Sequence, residues 1–172
     1  FFVSQNFLTS KKLIRNLINI TDICRNDTVL EIGAGKGHIT KALAEKCGKI
    51  ISYEIDRRLY DGLVSHLPGN VRLYCRDFLQ SRLPVEPYKV FANIPFSRTS
   101  EIVKKLTRGR RLPDVAWLVM EKGAAKRFCG FPCENLNSLL FKPFFKTETV
   151  YYFKRDNFHP APRVDIVMLK FE

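Results

Sequence analysis

A short β-rich run, Thr28-Val29-Leu30-Glu31-Ile32, passes directly into Gly33-Ala34-Gly35-Lys36-Gly37 and then into a segment with helical spacing. Three glycines at alternate positions between a strand and a helix free the backbone from side-chain sterics. They let main-chain N–H groups approach a ligand at the start of the helix. The spacing is Gly-x-Gly-x-Gly, which is neither the G-x-G-x-x-G of dinucleotide binders nor the G-x-x-x-x-G-K-[ST] of nucleoside triphosphate loops. This unit commits the chain to an α/β fold with a ligand at the carboxyl edge of a mostly parallel sheet.

The rest of the chain follows that commitment. Ser10 can cap a helix whose apolar positions Leu13, Ile14, Leu17 and Ile18 keep the helical period. After the glycine loop come a helix from about His38 to Cys47, a strand at Ile50–Ile55, a helix at Arg58–Leu67 and a strand at Val71–Cys75. A fourth strand, Lys89–Ala92, is followed by a helix at Thr99–Leu106, the apolar strand Val115–Met120 and a helix near Glu121–Phe128. Trp117 lies in that last strand and reads as core. The ending differs: a helical stretch near Leu136–Phe141 precedes two strand-like runs, Thr147–Lys154 and Val164–Phe171. Their connection is too short for an ordinary crossover helix, so the two runs are expected to pair antiparallel.

The 172 residues suit one domain with a proper core. Lys and Arg number 29 against 17 Asp and Glu, a formal charge of +12 that points to a polyanionic partner. Cys24, Cys47, Cys75, Cys129 and Cys133 form no C-x-x-C pair, and their odd number argues for a reduced, cytoplasmic chain without a disulfide framework. Cys129 and Cys133 have no second Cys/His pair nearby in sequence, so no metal site is expected. No apolar run is long enough to span a membrane. The start at Phe1 has neither the charged nor the apolar region of a signal peptide and reads as a trimmed beginning.

Chemistry concentrates at the strand ends. Glu54 closes the second strand, where a carboxylate can accept from ribose hydroxyls, and Asp77 follows the third, where one can accept from an adenine amino group. A glycine loop and two carboxylates on three consecutive strand ends suit an adenosine-containing cofactor without phosphates, with S-adenosylmethionine the obvious candidate. The fourth strand stops on Asn93-Ile94-Pro95-Phe96. Taken alone, that stretch reads as a strand ending in a tight turn, since proline ends the ladder and holds its predecessor extended.

The segments S-Q-N-F-L-T-S, E-I-G-A-G-K-G-H, Y-E-I-D, R-D-F, N-I-P-F and F-H-P-A-P-R-V occur in the order seen in rRNA adenine N6-methyltransferases. The chain resembles that family from Gln5 to Glu172, and within it looks most like the Erm type. Those enzymes dimethylate one adenine of 23S rRNA and confer macrolide–lincosamide–streptogramin B resistance. The segments N-F-L-T-S and G-A-G-K-G-H resemble the Erm type more than the small-subunit dimethylases, which tend toward a G-P-G loop and N-L-P-Y. The resemblance implies a class I S-adenosylmethionine-dependent (Rossmann-like) fold, with a seven-stranded, mostly parallel sheet closed by an antiparallel C-terminal hairpin. It also implies a single catalytic domain over residues 1–172, without the helical RNA-binding domain that relatives carry after the last strand. Asn6 and the loop residues Gly33, Ala34, Gly35 and Gly37 would hold the methionine end, and Gln5, Leu8, His38 and Asn93 would also contact the cofactor. Glu54 would hold the ribose and Asp77 the adenine, with Ile55 and Phe78 bracketing the ring. Asn93 and the Ile94 carbonyl would accept from the amino group of the target adenine, Pro95 would fix the turn, and Phe96 and Phe158 would pack on the flipped base. Where relatives often have Tyr, this chain has Phe96, which keeps stacking and loses a hydroxyl.

Lys11, Lys12, Arg15, Arg98, Lys104, Lys105, Arg108, Arg110 and Arg111 lie near these motifs and are expected to grip RNA phosphates. His38 and His159 flank motifs as loop or stacking residues, not as bases or metal ligands. The expected partner is ribosomal RNA, 23S in preference, before ribosome assembly is complete, with the protein acting as a monomer. The rivals are a small-subunit rRNA dimethylase, a DNA adenine methylase and a catalytically silent RNA-binding relative.

Overall fold

A computed structural model describes residues 6–130, 133–134 and 136–172, the side chains of residues 137 and 140 aside. The elements in chain order are β1 (Phe7–Leu8), α1 (Lys11–Asn19), β2 (Thr28–Ile32), α2 (His38–Ala44), β3 (Lys49–Glu54), α3 (Arg57–Leu63) and β4 (Val71–Cys75). There follow β5 (Lys89–Asn93), α4 (Thr99–Arg108), β6 (Ala116–Glu121), α5 (Lys122–Cys129), α6 (Leu136–Phe141), β7 (Thr147–Tyr152), β8 (Phe158–His159) and β9 (Ile166–Phe171). Seven strands form one sheet in the order β4-β3-β2-β5-β6-β9-β7. The first five of these run parallel, while β9 lies antiparallel to both β6 and β7. The expected parallel sheet closed by an antiparallel hairpin is therefore present.

The order reverses between β2 and β5, which leave the middle of the sheet in opposite directions along the strand order. At such a switch point the following segments part to opposite faces and a crevice opens beyond the strand ends. The glycine loop follows β2 and N-I-P-F follows β5, so both motifs open onto that crevice.

Each face of the sheet has its own core. Leu30, Val90, Ala92, Leu118 and Leu169 bury one side with Ile102, Val103 and Leu106 of α4. Val29, Ile50, Phe91, Trp117 and Met168 bury the other with Ile14, Leu17 and Ile18 of α1 and Leu43 of α2. Alternate residues of one strand thus serve opposite layers, as the two-residue strand period requires. Trp117 is core, 2% exposed. Ser10 caps α1 by accepting from the Leu13 N–H at 3.2 Å, a contact of the kind that contributes about 1 kcal/mol.

Several boundaries differ from expectation. The helix after Glu54 ends at Leu63 and tightens into a 3-10 turn at Val64–His66, ahead of Pro68. The helix after the glycine loop ends at Ala44, short of Cys47. More consequential is the connection between β7 and β9. It carries β8, which pairs antiparallel with β1, Phe7 opposite His159 and Leu8 opposite Phe158. A strand pair of two residues per side shows no alternation to read, and its two halves lie at opposite ends of the chain.

Candidate active site

One pocket lies over the switch point, bounded by the glycine loop, the ends of β3 and β5, the segment after β4 and β1. Its floor is backbone. Gly33 (φ 80°), Gly35 (φ 55°) and Gly37 (φ 76°) are all left-handed. The Gly35 N–H donates to Glu54 Oε2 at 2.7 Å, and the Asp56 N–H donates to Glu54 Oε1 at 2.9 Å. A carboxylate only 2% exposed is thereby held through both oxygens while still lining the pocket. A Cβ on Gly35 would come within 2.8 Å of the Phe7 ring, so the loop and β1 approach as closely as glycine permits. A Cβ on Gly33 would meet nothing nearer than the Asn93 carbonyl at 4.0 Å, which leaves open space between the two strand ends. Gly37 does not line the pocket; a Cβ there would lie 2.5 Å from Leu63, so its job is the packing of α2 against α3.

The wall beyond β3 and β4 combines an apolar face with a fixed carboxylate. Ile55 is 59% exposed at the pocket edge, and Phe78 is buried against Tyr53 with ring centroids 5.8 Å apart. Asp77 caps the 3-10 turn Phe78–Gln80 by accepting the Leu79 N–H at 2.8 Å. Arg98 Nη1 donates to Asp77 Oδ2 at 2.9 Å, and Arg98 Nη2 donates to Glu101 at 3.2 Å. Burial raises the Asp77 pKa, but the Leu79 N–H, the Arg98 guanidinium and the Lys105 ammonium outweigh it and hold the carboxyl below its ordinary value. Lys105 Nζ donates to the Leu79 carbonyl at 2.8 Å and to the Ser81 carbonyl, with the Phe78 ring centroid 5.1 Å away. Burial lowers the Lys105 pKa, offset only in part by Asp77. Arg98 and Lys105, expected on RNA phosphates, thus face this wall. Their charges are committed because the buried turn leaves carbonyls and a carboxylate that need donors.

At the end of β5, the Ile94 N–H donates to the Val119 carbonyl at 3.2 Å, and Pro95 holds an extended conformation (φ −64°, ψ 124°). Asn93 Nδ2 donates to the Asn6 carbonyl at 2.7 Å, while its Oδ1 is buried without a hydrogen-bond partner. An orphaned acceptor of this kind costs on the order of 1–3 kcal/mol, a strain expected where a ligand completes the site. Phe96 lines the pocket beside it. Phe158, expected on the same base, is only 3% exposed, packs on Phe153 with centroids 5.2 Å apart and does not line the pocket. The pairing of β8 with β1 turns its ring into the core.

Asn6, Leu8, Ala34 and His38 line the pocket as well, whereas Gln5 falls outside the described residues. Burial, followed by Lys36, Lys11 and Lys41, lowers the His38 pKa and so favours the neutral imidazole. Lys11 and Lys12 on α1, Lys104 and Arg108 on α4, and Arg110 and Arg111 beyond it are exposed. Arg15 is exposed but paired with Glu45 at 3.1 Å. Among the described residues, no cluster of His, Cys, Asp and Glu could hold a metal ion, and no helix is long and apolar enough to cross a membrane. Sequence reasoning missed Phe7, Lys36, Tyr53 and Arg76, which also line the pocket. Phe7 sits between Asn6 and Leu8, and Lys36 lies 5.2 Å from its ring centroid. Residues of a glycine loop and of a segment facing it were the available signal.

The family model for ribosomal RNA adenine dimethylase matches residues 1–172. The chain belongs to the ribosomal RNA adenine dimethylase family. Among curated members, an rRNA adenine N-6-methyltransferase of Bacillus licheniformis is 34% identical over 172 residues, covering 98% of this chain and 60% of that protein. One from Escherichia coli is 34% identical over 170 residues, covering 97% and 68%. The chain thus spans about 60% of the length of the Bacillus relative. Among solved structures, the 23S rRNA methyltransferase ErmE superposes with a TM-score of 0.84 at 29% identity, covering 97% of this chain and 69% of that one. A dimethyladenosine transferase from Plasmodium falciparum gives 0.84 and 29%, covering 96% and 62%. With these dimethylase-family neighbours the seven-stranded sheet is that of a class I methyltransferase.

Proposed function

We propose that this domain transfers methyl groups from S-adenosylmethionine to the exocyclic N6 of an adenine in 23S rRNA. The observation that carries the proposal is the buried, unpartnered Oδ1 of Asn93, a residue that lines the pocket together with Gly33. A polar atom kept dry and unsatisfied at a strand end is suited to receive a donor that arrives with the substrate.

Asn6, Gly33, Ala34, Gly35 and His38 would hold the methionine end of the cofactor, Glu54 the ribose, and Asp77 the adenine amino group, with Ile55 and Phe78 on either side of the ring. When bound, S-adenosylmethionine supplies an electrophilic methyl group on a sulfonium sulfur. Asn93 Oδ1 and the Ile94 carbonyl would accept the two N6 hydrogens of the target base. Those contacts turn the nitrogen lone pair out of conjugation with the ring and stabilise the positive charge that builds on nitrogen. Held there by Asn93 and Ile94, the nitrogen would face the methyl donor, and once methylated it would give up one proton. Because that nitrogen is strongly acidic, solvent suffices as acceptor and no side-chain base is required. Phe96 would stack on the flipped base, offsetting a few kcal/mol of unstacking.

The +12 charge and the exposed cations on α1, on α4 and after it support ribosomal RNA as the partner. The segments N-F-L-T-S and G-A-G-K-G-H, with the likeness to ErmE, favour the 23S molecule and hence macrolide–lincosamide–streptogramin B resistance. Five free thiols fit a reducing cytoplasm. The equal superposition on a dimethyladenosine transferase makes a small-subunit target the second reading. Methyl incorporation from labelled cofactor into 23S and 16S transcripts separates the two. Label in 23S alone is expected; label in 16S alone establishes the second reading, and cofactor binding without label in either defeats both.

A further inference from the structure

We propose that Arg98 is a positioning residue for cofactor recognition, fixing the Asp77 carboxylate so that it is aimed at the adenine amino group. This rests on the reading of Asp77 as the adenine acceptor. Arg98 closes the 3-10 turn Phe96–Arg98 that follows N-I-P-F, and it too lines the pocket. Its guanidinium spans Asp77 at 2.9 Å and Glu101 at 3.2 Å. One Asp77 oxygen receives the Leu79 N–H and the other receives Arg98, so the plane of the carboxylate is fixed from two sides. Each oxygen retains a lone pair, and that is what an amino group entering between the Ile55 and Phe78 walls requires.

The charged groups around Asp77 are Arg98 and Lys105 from the α4 side, Glu101 behind Arg98, Arg76 on its own segment and Glu54 at the neighbouring strand end. The Asp77 side chain is only 19% exposed, so desolvation opposes its ionised form and the cations must overcome that cost. Without Arg98, burial acts with one fewer opponent, and the carboxyl takes up its proton at higher pH. A protonated Asp77 can turn its hydroxyl toward the adenine, opposing a donor with a donor. The same guanidinium ties the turn bearing Phe96 to the cofactor wall, which places acceptor and cofactor contacts on one ion pair.

The test is the affinity of S-adenosylhomocysteine and of its inosine counterpart, which lacks the amino donor, for wild type, Arg98→Leu, Arg98→Lys and Glu101→Gln. Isothermal titration calorimetry across pH 4–8 follows a check of thermal unfolding. Wild type is expected to prefer the adenosine form by about tenfold or more, the discrimination typical of a lost hydrogen bond to a charged acceptor. Arg98→Leu should shrink that preference several-fold and move the acid limb of binding to higher pH. Arg98→Lys should restore part of both, and Glu101→Gln should leave the preference near the wild-type value. An Arg98→Leu protein with wild-type preference and pH profile overturns the inference, as does a wild type that binds both forms equally. A wild type that binds neither overturns the cofactor reading itself.

Discussion

Asn93 and Asn6, separated by 87 positions in the chain, are joined by a 2.7 Å hydrogen bond in which the Asn93 amide donates and the Asn6 carbonyl accepts. That bond fixes which end of the amide faces the pocket. With Nδ2 committed to Asn6, just ahead of β1, Oδ1 is left as the acceptor.

Removing the acceptor should therefore stop chemistry more than binding. Asn93→Ala is expected to lower the turnover rate by roughly 10²–10³-fold, the usual loss when one preorganised transition-state contact goes. S-adenosylhomocysteine affinity should change only a few-fold. Single-turnover methylation beside calorimetric binding makes the comparison, and equal loss in both would place Asn93 in the cofactor site alone.

The approach of the glycine loop to β1 should show up as a cofactor defect. Gly35→Ala puts a methyl group 2.8 Å from the Phe7 ring at a residue with φ 55°. Backbone strain of this kind costs about 1–3 kcal/mol. Moving the Gly35 N–H also disturbs Glu54. A lower melting temperature together with weakened S-adenosylhomocysteine binding is expected, and unchanged binding would mean that the loop does not carry the cofactor.

Glu31 makes stability depend on pH in the direction opposite to most carboxylates. It lies fully in the core, and burial raises its pKa to about 7 from 4.5 against the opposing Ser52 and Thr40 hydroxyl bonds, with Glu54 adding to the rise. Between those values the folded chain keeps a proton that the unfolded chain has released, so stability falls as pH rises through that window. The loss amounts to on the order of 3 kcal/mol by pH 8. Glu31→Gln should flatten the decline in melting temperature between pH 5 and pH 8. A decline as steep in the variant as in wild type would assign it to other groups.

Lys104 and Lys105 are neighbours in sequence with opposite surroundings, one exposed and the other bonded to the Leu79 carbonyl. Lys104→Ala should weaken RNA binding and reduce the slope of log K against log salt by about 1 or less, with cofactor affinity intact. Lys105→Ala should weaken the cofactor and leave that slope nearly unchanged. Filter binding over a salt series and calorimetry read the two effects, and a swapped pattern would contradict the placement of the two side chains.

Two phenylalanines expected on the same base part company in the structure. Phe158→Ala should destabilise the fold by about 3–5 kcal/mol, as a truncated core aromatic does. Phe96→Ala should cost much less stability and act mainly on methyl transfer. Urea unfolding of both variants tests this, and a mild Phe158→Ala would return that ring to the pocket.

What the chain announced in advance was whatever local chemistry dictates. The Gly-x-Gly-x-Gly spacing placed the loop, strand-length apolar runs gave the sheet, and Glu54, Asp77 and Asn93 all lie at strand ends around one pocket. What stayed hidden depends on tertiary partners. The inward turn of Arg98 and Lys105 follows from a carboxylate and carbonyls about 20 residues away, at Asp77, Leu79 and Ser81, which a helical run of cations cannot disclose. The burial of Phe158 depends on the pairing with Leu8, and no period exists in a two-residue strand.

That pairing has a consequence for how the protein is made. Phe7 and Leu8 leave the ribosome some 150 residues ahead of their partners at His159 and Phe158. At about 5–20 residues per second, synthesis leaves the roof of the pocket unfastened for roughly 8–30 seconds after its first half appears. A nascent chain that already carries its glycine loop and both carboxylates therefore has a floor and walls but no closed site. Competence for the cofactor arrives late, once the chain has been synthesised through β8.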